Sequence, residues 1–175
     1  MLSAVNEDIL RLVEAAVPDA SVGLGPPAKQ SSNGGLQVRL WLYRIAAEER
    51  FDNNEHRPQP AGSPPATRDA LVSLHFLITG VAADESAALD ALASIWGALV
   101  ARPVLERSQA SDAGDPGVRL LIESLDMATM SALWSTLGGL PLQPSIALSA
   151  HGVVIAPAPA VPRPLPVLRR PSAPK

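Results

Sequence analysis

Residues Ala70 to Val100 read ALVSLHFLITGV followed by AADESAALDALASIWGALV. Leu71 to Val81 is apolar on both alternating faces and rich in β-branched and aromatic side chains. That is the pattern of a central strand covered on both sides. A tight polar turn follows, in which Asp84 is placed to cap a helix. Leu89, Leu92, Ile95 or Trp96, and Leu99 form the expected buried stripe of that helix, and Pro103 lies just past its end. The pair constrains the rest of the chain to supply neighbouring strands and further helices, so the class is α+β.

The flanking segments supply them. Val5, Ile9, Leu12 and Ala16 share one helical face, with Leu10, Val13 and Val17 beside it, and the helix is expected to run from an N-cap at Ser3 to just before Pro18. Pro26, Pro27, Gly34 and Gly35 mark a loop over Ser21–Gly35. Leu36 to Ile45 alternates as a strand, with Leu36, Val38, Leu40 and Leu42 on one face and Gln37, Arg39, Trp41, Tyr43 and Ile45 on the other. Ala46 to Asp69 is polar, charged and proline-rich, which reads as a long loop. A further polar loop runs through Arg107–Gly117. Val118 to Leu125 is a strand. Asp126 is expected to cap a short helix with Met127, Met130, Leu133, Trp134 and Leu137 facing inward and Gly138–Gly139 stopping it. Ser145 to Ala156 is the last strand. The expectation is one mixed sheet of about four strands with helices packed on it, in the order α-β-β-α-β-α-β. Residues 1–156 form this domain. Residues 157–175, with 7 prolines in 19 positions, form an extended arm whose composition favours polyproline II.

Charge is distributed unevenly. The formal net charge is −3, which gives no global argument for a nucleic-acid partner. Yet every acid lies at or before Asp126, while Arg163, Arg169, Arg170 and Lys175 follow it, so the arm is basic and the body acidic. No signal peptide is read at the start, and no apolar run has the ~20 residues of a membrane-spanning helix. With no cysteine, a disulfide scaffold and a thiolate metal site are excluded, which suits a reducing cytoplasm.

The usual carriers of chemistry are missing. His75 and His151 lie in strands and read as hydrogen-bonded structural residues; His56 lies in the proline-rich loop. No two histidines have metal-ligand spacing on one helix face. There is no nucleophile elbow and no phosphate-binding loop, and Gly23-x-Gly25 runs into two prolines where a dinucleotide fingerprint must open a helix. Glu48-Glu49 reads as part of a solvated charged loop, and Asp84-Glu85 as a helix cap. Aromatics make up only 3% of the chain and are not interleaved with cations, so a stacking surface for single strands is not expected.

Taken in order, several stretches resemble one family. MLSAVNEDILRLVEAAVP resembles its opening helix, and LQVRLWLYRI with Asn53-Asn54 beyond it its Leu-Tyr-Arg strand and Asn-bearing loop. LVSLHFLITGVAAD resembles its Leu-His-aromatic strand. WGALVARPVLER and LDMATMSALWSTLGGLPLQPSIALSAHGVVI resemble its Pro-Val-Leu turn and closing segment. The family is the tail-terminator, or cap, protein of contractile injection systems of the Photorhabdus virulence cassette and antifeeding-prophage type. The resemblance covers about Met1 to Ile155, departing from the family at Ser145-Ile-Ala-Leu148 and in the long proline insert before Leu71. It implies a homohexameric ring on the distal end of the inner tube and sheath, ending polymerisation and coupling the two. It implies no catalytic residue, cofactor or metal, and no nucleic acid or membrane insertion. The partners are the inner tube protein, the sheath protein and further copies of the chain, assembled in the cytoplasm into the particle. The assembly contacts expected from the loops and the arm are Arg44, Arg50, Asn53, Arg57, Arg163, Arg169 and Arg170. The alternatives are another collar or adaptor subunit of the same particle, or a small hydrolase or ligand-binding domain whose site forms only in three dimensions.

Overall fold

The structure is a computed structural model that describes residues 2–27, 35–48, 70–106 and 117–155. Three helices and six strands follow the order α1 (Leu2–Ala16), β1 (Ser21–Leu24), β2 (Gln37–Ala47), β3 (Ala70–Val81), α2 (Glu85–Ala101), β4 (Val104–Leu105), β5 (Val118–Glu123), α3 (Met127–Ser135) and β6 (Ser145–Ile155). All six strands form one sheet in the order β1-β2-β3-β6-β5-β4. The β1–β2 pair is parallel and the other four pairs are antiparallel. The α+β class and the mixed sheet are as the patterning predicts. The two strands beyond the expected four are short. β1 is four residues of the Ser21–Gly35 segment, and β4 is a two-residue bridge formed by the Pro-Val-Leu turn.

β3 is central because it can be covered everywhere: from Val72 to Val81 only His75 is not buried. The core lies between one face of the sheet and α1 with α2. Val38 and Leu40 of β2, Leu74, Phe76 and Ile78 of β3, and Leu148, Ala150 and Val153 of β6 are all wholly buried there, beneath Ile9 and Val13 of α1 and Ile95 of α2. α1 starts at Leu2 and not after a Ser3 cap. Glu7 and Asp8, one turn in, pair with Arg11 at 3.6 and 3.5 Å.

α2 is seated differently from the expected stripe. Its buried residues are Ala88, Ala91, Leu92, Ile95 and Leu99, while Leu89 and Trp96 are exposed. Gly80 of β3 explains the rotation. A Cβ there would lie 3.2 Å from the Ala88 carbonyl oxygen and 3.6 Å from Leu92 Cγ. The missing side chain lets the helix approach closely, and close approach selects alanines for the seam. α3 also departs from expectation: of the five residues predicted to face inward, only Trp134 is buried, and Met127 is 70% exposed. α3 meets the opposite sheet face, where Ser145 Oγ lies 3.7 Å from Met130 Sδ.

Two β-bulges reset the alternation of side chains. On β2 the pairing with β3 steps from Leu42–Phe76 to Arg44–His75, so one strand advances two residues while the other advances one. Ile45 therefore pairs with Leu74 and leaves the Trp41–Tyr43 face to which simple alternation assigns it. On β6 the pairing steps from Leu74–Ala150 to Val72–Val153, leaving His151 and Gly152 opposite Ser73. Gly152 has φ +82°, the left-handed region that favours glycine. Through this bulge Ala150 and Val153 both face the core.

Both later helices carry aspartate caps. Asp84 accepts from Ser86 N at 3.1 Å and Ser86 Oγ at 2.7 Å, and Asp126 accepts from Thr129 N at 2.7 Å. These hydrogen bonds hold both carboxyls below the ordinary aspartate value of 3.8. A folded-state pKa below the unfolded one stabilises the fold above the unfolded value and loses that stabilisation as pH falls through the folded value. Acid titration of the far-ultraviolet circular dichroism is therefore expected to show helix loss beginning below pH 3.8. Asp84→Asn with Asp126→Asn is expected to flatten that part of the curve. A titration identical to that of the unsubstituted chain would contradict this role for the caps.

Candidate functional site

Three features of the described residues lie outside the core: a polar network on the sheet's second face, an apolar stripe on α2, and the end of the sheet from which the longest segments leave.

The network is built from a repeated tripeptide spacing. Ser73-Leu74-His75 and Ser149-Ala150-His151 each place a serine and a histidine two residues apart, hence on one face of a strand. His75 Nδ1 donates to Glu123 Oε2 at 3.3 Å, and its Nε2 lies 3.2 Å from Ser73 Oγ. His151 Nδ1 donates to Glu48 Oε1 at 2.9 Å, and its Nε2 lies 3.0 Å from Ser149 Oγ. Glu48 Oε1 also accepts from Gly152 N at 3.0 Å. Tyr43, His75 and His151 form a chain of rings with centroids 6.2 and 6.4 Å apart. Burial and the nearby Glu123 carboxylate hold the Tyr43 hydroxyl above its ordinary value, so it stays a neutral donor.

Each Ser–His–Glu chain has the order of contacts of a nucleophile, base and orienting acid. The serines, however, are inaccessible: Ser73 is 4% exposed and Ser149 0%. Ser149 Oγ also donates to the Leu121 carbonyl at 3.4 Å. Attack requires a carbonyl carbon within about 3–3.5 Å of the oxygen, which a buried hydroxyl does not offer. The arrangement instead works as a pair of clips. His75 reaches from β3 over β6 to β5, and His151 reaches from β6 over β3 to the end of β2. A hydrogen bond to a charged group contributes about 1.5–3 kcal/mol when buried, and the partial exposure here places each clip near the lower end. Glu48 is thus a bound carboxylate and not part of a solvated charge run; Glu49 lies outside the described residues.

A cleft of about 200 Å³ lies between α1 and the end of α2, lined by Asp8, Arg11, Leu12, Arg102, Leu105 and Glu106. It holds titratable groups but no histidine and no nucleophile. No group of three or more His, Asp or Glu among the described residues is placed to hold a metal ion. No helix among them is long and apolar enough to cross a membrane.

On α2, Leu89, Trp96 and Val100 are 47%, 49% and 62% exposed. With exposed Ala93 they fall within one sector of the helix, flanking the buried stripe. A helix apolar on both sides has a second face to cover. Sequence reasoning placed Leu89 and possible Trp96 inside and so missed this stripe; the excess of apolar positions over what one stripe can use is the signal for it.

The third feature is topological. β2 ends, and β3 begins, where β6 ends: Ala47 pairs with Val72 and Ala70 with Ile155. β5 begins at the same end, because Arg119 pairs with His151. Residues 49–69, 107–116 and 156–175 therefore all attach at one end of the sheet. Of the expected contact residues, Arg44 is exposed at the β2 bulge near that end. Arg50, Asn53, Arg57, Arg163, Arg169 and Arg170 lie outside the described residues, as do His56 and the proline-rich segments.

Residues 4–169 match the family model of the Pvc16 N-terminal domain. The chain belongs to the Pvc16 N-terminal domain family. The matched span passes Ile155, where the resemblance read from the residues stops, and continues to residue 169. Two solved structures share the fold of this Pvc16 N-terminal domain. The sheath/tube terminator of an extracellular contractile injection system, PVC, in its extended state is similar with a TM-score of 0.62 and 18% identity, over 94% of this chain and 63% of that one. The anti-feeding prophage cap, a tube-terminating cap, is similar with a TM-score of 0.65 and 17% identity, over 97% of this chain and 61% of that one. The chain thus spans less than two thirds of the length of either. No curated protein sequence matches it.

Proposed function

We propose that this Pvc16 N-terminal domain is the structural cap of a phage-tail-like contractile injection system. It forms a homohexameric ring on the distal end of the inner tube and sheath, stops their polymerisation and couples one to the other. The observation that carries this reading is a family match over residues 4–169 together with fold similarity over 94% and 97% of this chain to a sheath/tube terminator and a tube-terminating cap, of whose chains it spans 63% and 61%. The gathering of three long segments at one end of the sheet supports it, since a cap must contact a growing end on one side only. A ring also requires a head-to-tail contact that closes after a fixed number of copies. In this reading Arg44, Arg50, Asn53, Arg57, Arg163, Arg169 and Arg170 lie on the contact side. Domain 1–156 builds the ring and residues 157–175 are an appended arm. Assembly takes place in the cytoplasm and the protein remains part of the particle. The role is mechanical, with no bond made or broken.

Deleting the gene and imaging the particles tests the proposal. The expected result is tails of irregular, mostly excessive length, with sheaths that detach from the tube. Tails of uniform, normal length that contract normally would overturn it.

A further inference from the structure

Two surfaces without a partner lie on opposite sides of the sheet, and each lacks the charge that the other carries. The first is the exposed sector of α2. Glu85, Leu89, Ala93, Trp96 and Val100 fall within about 80° of one another around a helix of 3.6 residues per turn, and Asp90 lies about 60° beyond Ala93. The two acids therefore border the apolar stripe on either side. Both are exposed, and α2 carries no lysine or arginine.

The second surface is one half of the second sheet face. α3 meets that face at Ser145, at the far end of β6 from His151. Around His75 and His151 the face stays open: Arg44 and Arg119 are exposed, and Leu121 is 45% exposed. Arg44 pairs with His75 and Arg119 with His151, so the arginines share the face of the histidines, and Leu121 joins them two residues along β5. Neither arginine has an ion-pair partner among the described residues. The two carboxylates of the network, Glu48 and Glu123, are held by His151 and His75.

The dimensions agree with the charges. β3 and β6 separate β2 from β5, which sets Arg44 and Arg119 about 14 Å apart across the strands. An α-helix with its side chains is about 10–12 Å wide. One helix therefore fits between the two arginines, over Tyr43, the histidines and Leu121. α2 has the matching surface, apolar in the middle and acidic at its borders. It lies over the core face of its own sheet and cannot reach the second face of the same chain, but it can reach that of another copy.

We infer that α2 of one copy docks on the open half of the second sheet face of the next copy. Leu89, Trp96 and Val100 rest on Tyr43 and Leu121, and Glu85 and Asp90 meet Arg44 and Arg119. The two surfaces differ, so copies join head to tail. This deepens the cap reading, on which it rests, by naming the contact that its ring requires.

The chain has no cysteine, so thiols can be placed one or two at a time. Ala93→Cys marks α2 and Leu121→Cys marks the patch, both at exposed positions. Full-length protein, purified and on assembled particles, is treated with a short bismaleimide. With both substitutions in one chain a ladder of covalent oligomers is expected, ending at the hexamer on particles. Mixed single variants are expected to stop at dimers, and Ala93→Cys with Ser131→Cys on α3 to give no ladder. Glu85→Arg with Asp90→Arg is expected to abolish the ladder, and adding Arg44→Glu with Arg119→Glu to restore it. No ladder from either preparation would overturn the inference, and normally capped particles without one would leave the cap reading standing. Dimers from Ala93→Cys alone would also overturn it, since two stripes would then face each other. A ladder in solution from a chain absent from particles would uphold the contact and contradict the cap reading.

Discussion

Replacing Phe76 by alanine is expected to lower the stability of this domain by about 3–5 kcal/mol. Phe76 is wholly buried at the middle of β3, between Leu42 of β2 and Leu148 of β6, and beneath the two helices. It belongs to the single cluster that includes Ile9, Val13, Ile95 and Val153. Truncation removes the apolar area of the ring and leaves a cavity whose walls, held by two paired strands, cannot close on it. Domains are stable by about 5–15 kcal/mol in total, so the loss is a large share of what there is. Urea unfolding followed by circular dichroism measures it. Ile45→Ala, on the same face but 50% exposed, serves as control and is expected to cost about 1 kcal/mol or less. Equal midpoints for the two variants would contradict the placement of the core.

Gly152→Val acts through backbone and register together. The backbone there has φ +82°, and an added Cβ would lie 3.3 Å from the Gly117 carbonyl oxygen. A left-handed conformation costs an L-residue about 1–2 kcal/mol, and a β-branched one more. If the chain escapes that strain by losing the bulge, Val153 and Ile155 turn from the core to the polar face. Either way the expected loss is about 2 kcal/mol or more. Glu48→Ala, which removes the carboxylate bound to His151 and Gly152 N, is expected to cost about 1–3 kcal/mol. Because both act on the same bulge, the double variant is expected to lose less than the sum. Full additivity in denaturant unfolding would show that Glu48 does not anchor the bulge.

The parts of the fold written in local pattern were legible. The apolar run of β3, the Asp84 and Asp126 caps and the existence of strands at β5 and β6 each follow from neighbours in sequence. What was not legible depends on partners far along the chain. β1 is four residues broken by Gly23, and it exists as a strand because β2 pairs with it. Ile45 changes face because one extra residue at the bulge breaks a period of two. Glu48 looks like part of a charged loop until β6 brings His151 to it, 103 residues away in sequence. The rule that large apolar residues mark the buried stripe failed on α2, where Gly80 selects alanines and leaves Trp96 outside. Of the expected contact residues only Arg44 falls within the described structure, so the candidate site was readable as chemistry type and not as geometry.

The central claim concerns position and copy number on a particle, and a near-atomic density map of the assembled particle tests it directly. The predicted result is this fold at the end distal to the baseplate, in six copies around the tube axis, with residues 49–69 and 107–116 directed at the last ring of tube and sheath. Finding the chain at the baseplate, along the sheath, or absent from particles that end normally would contradict it.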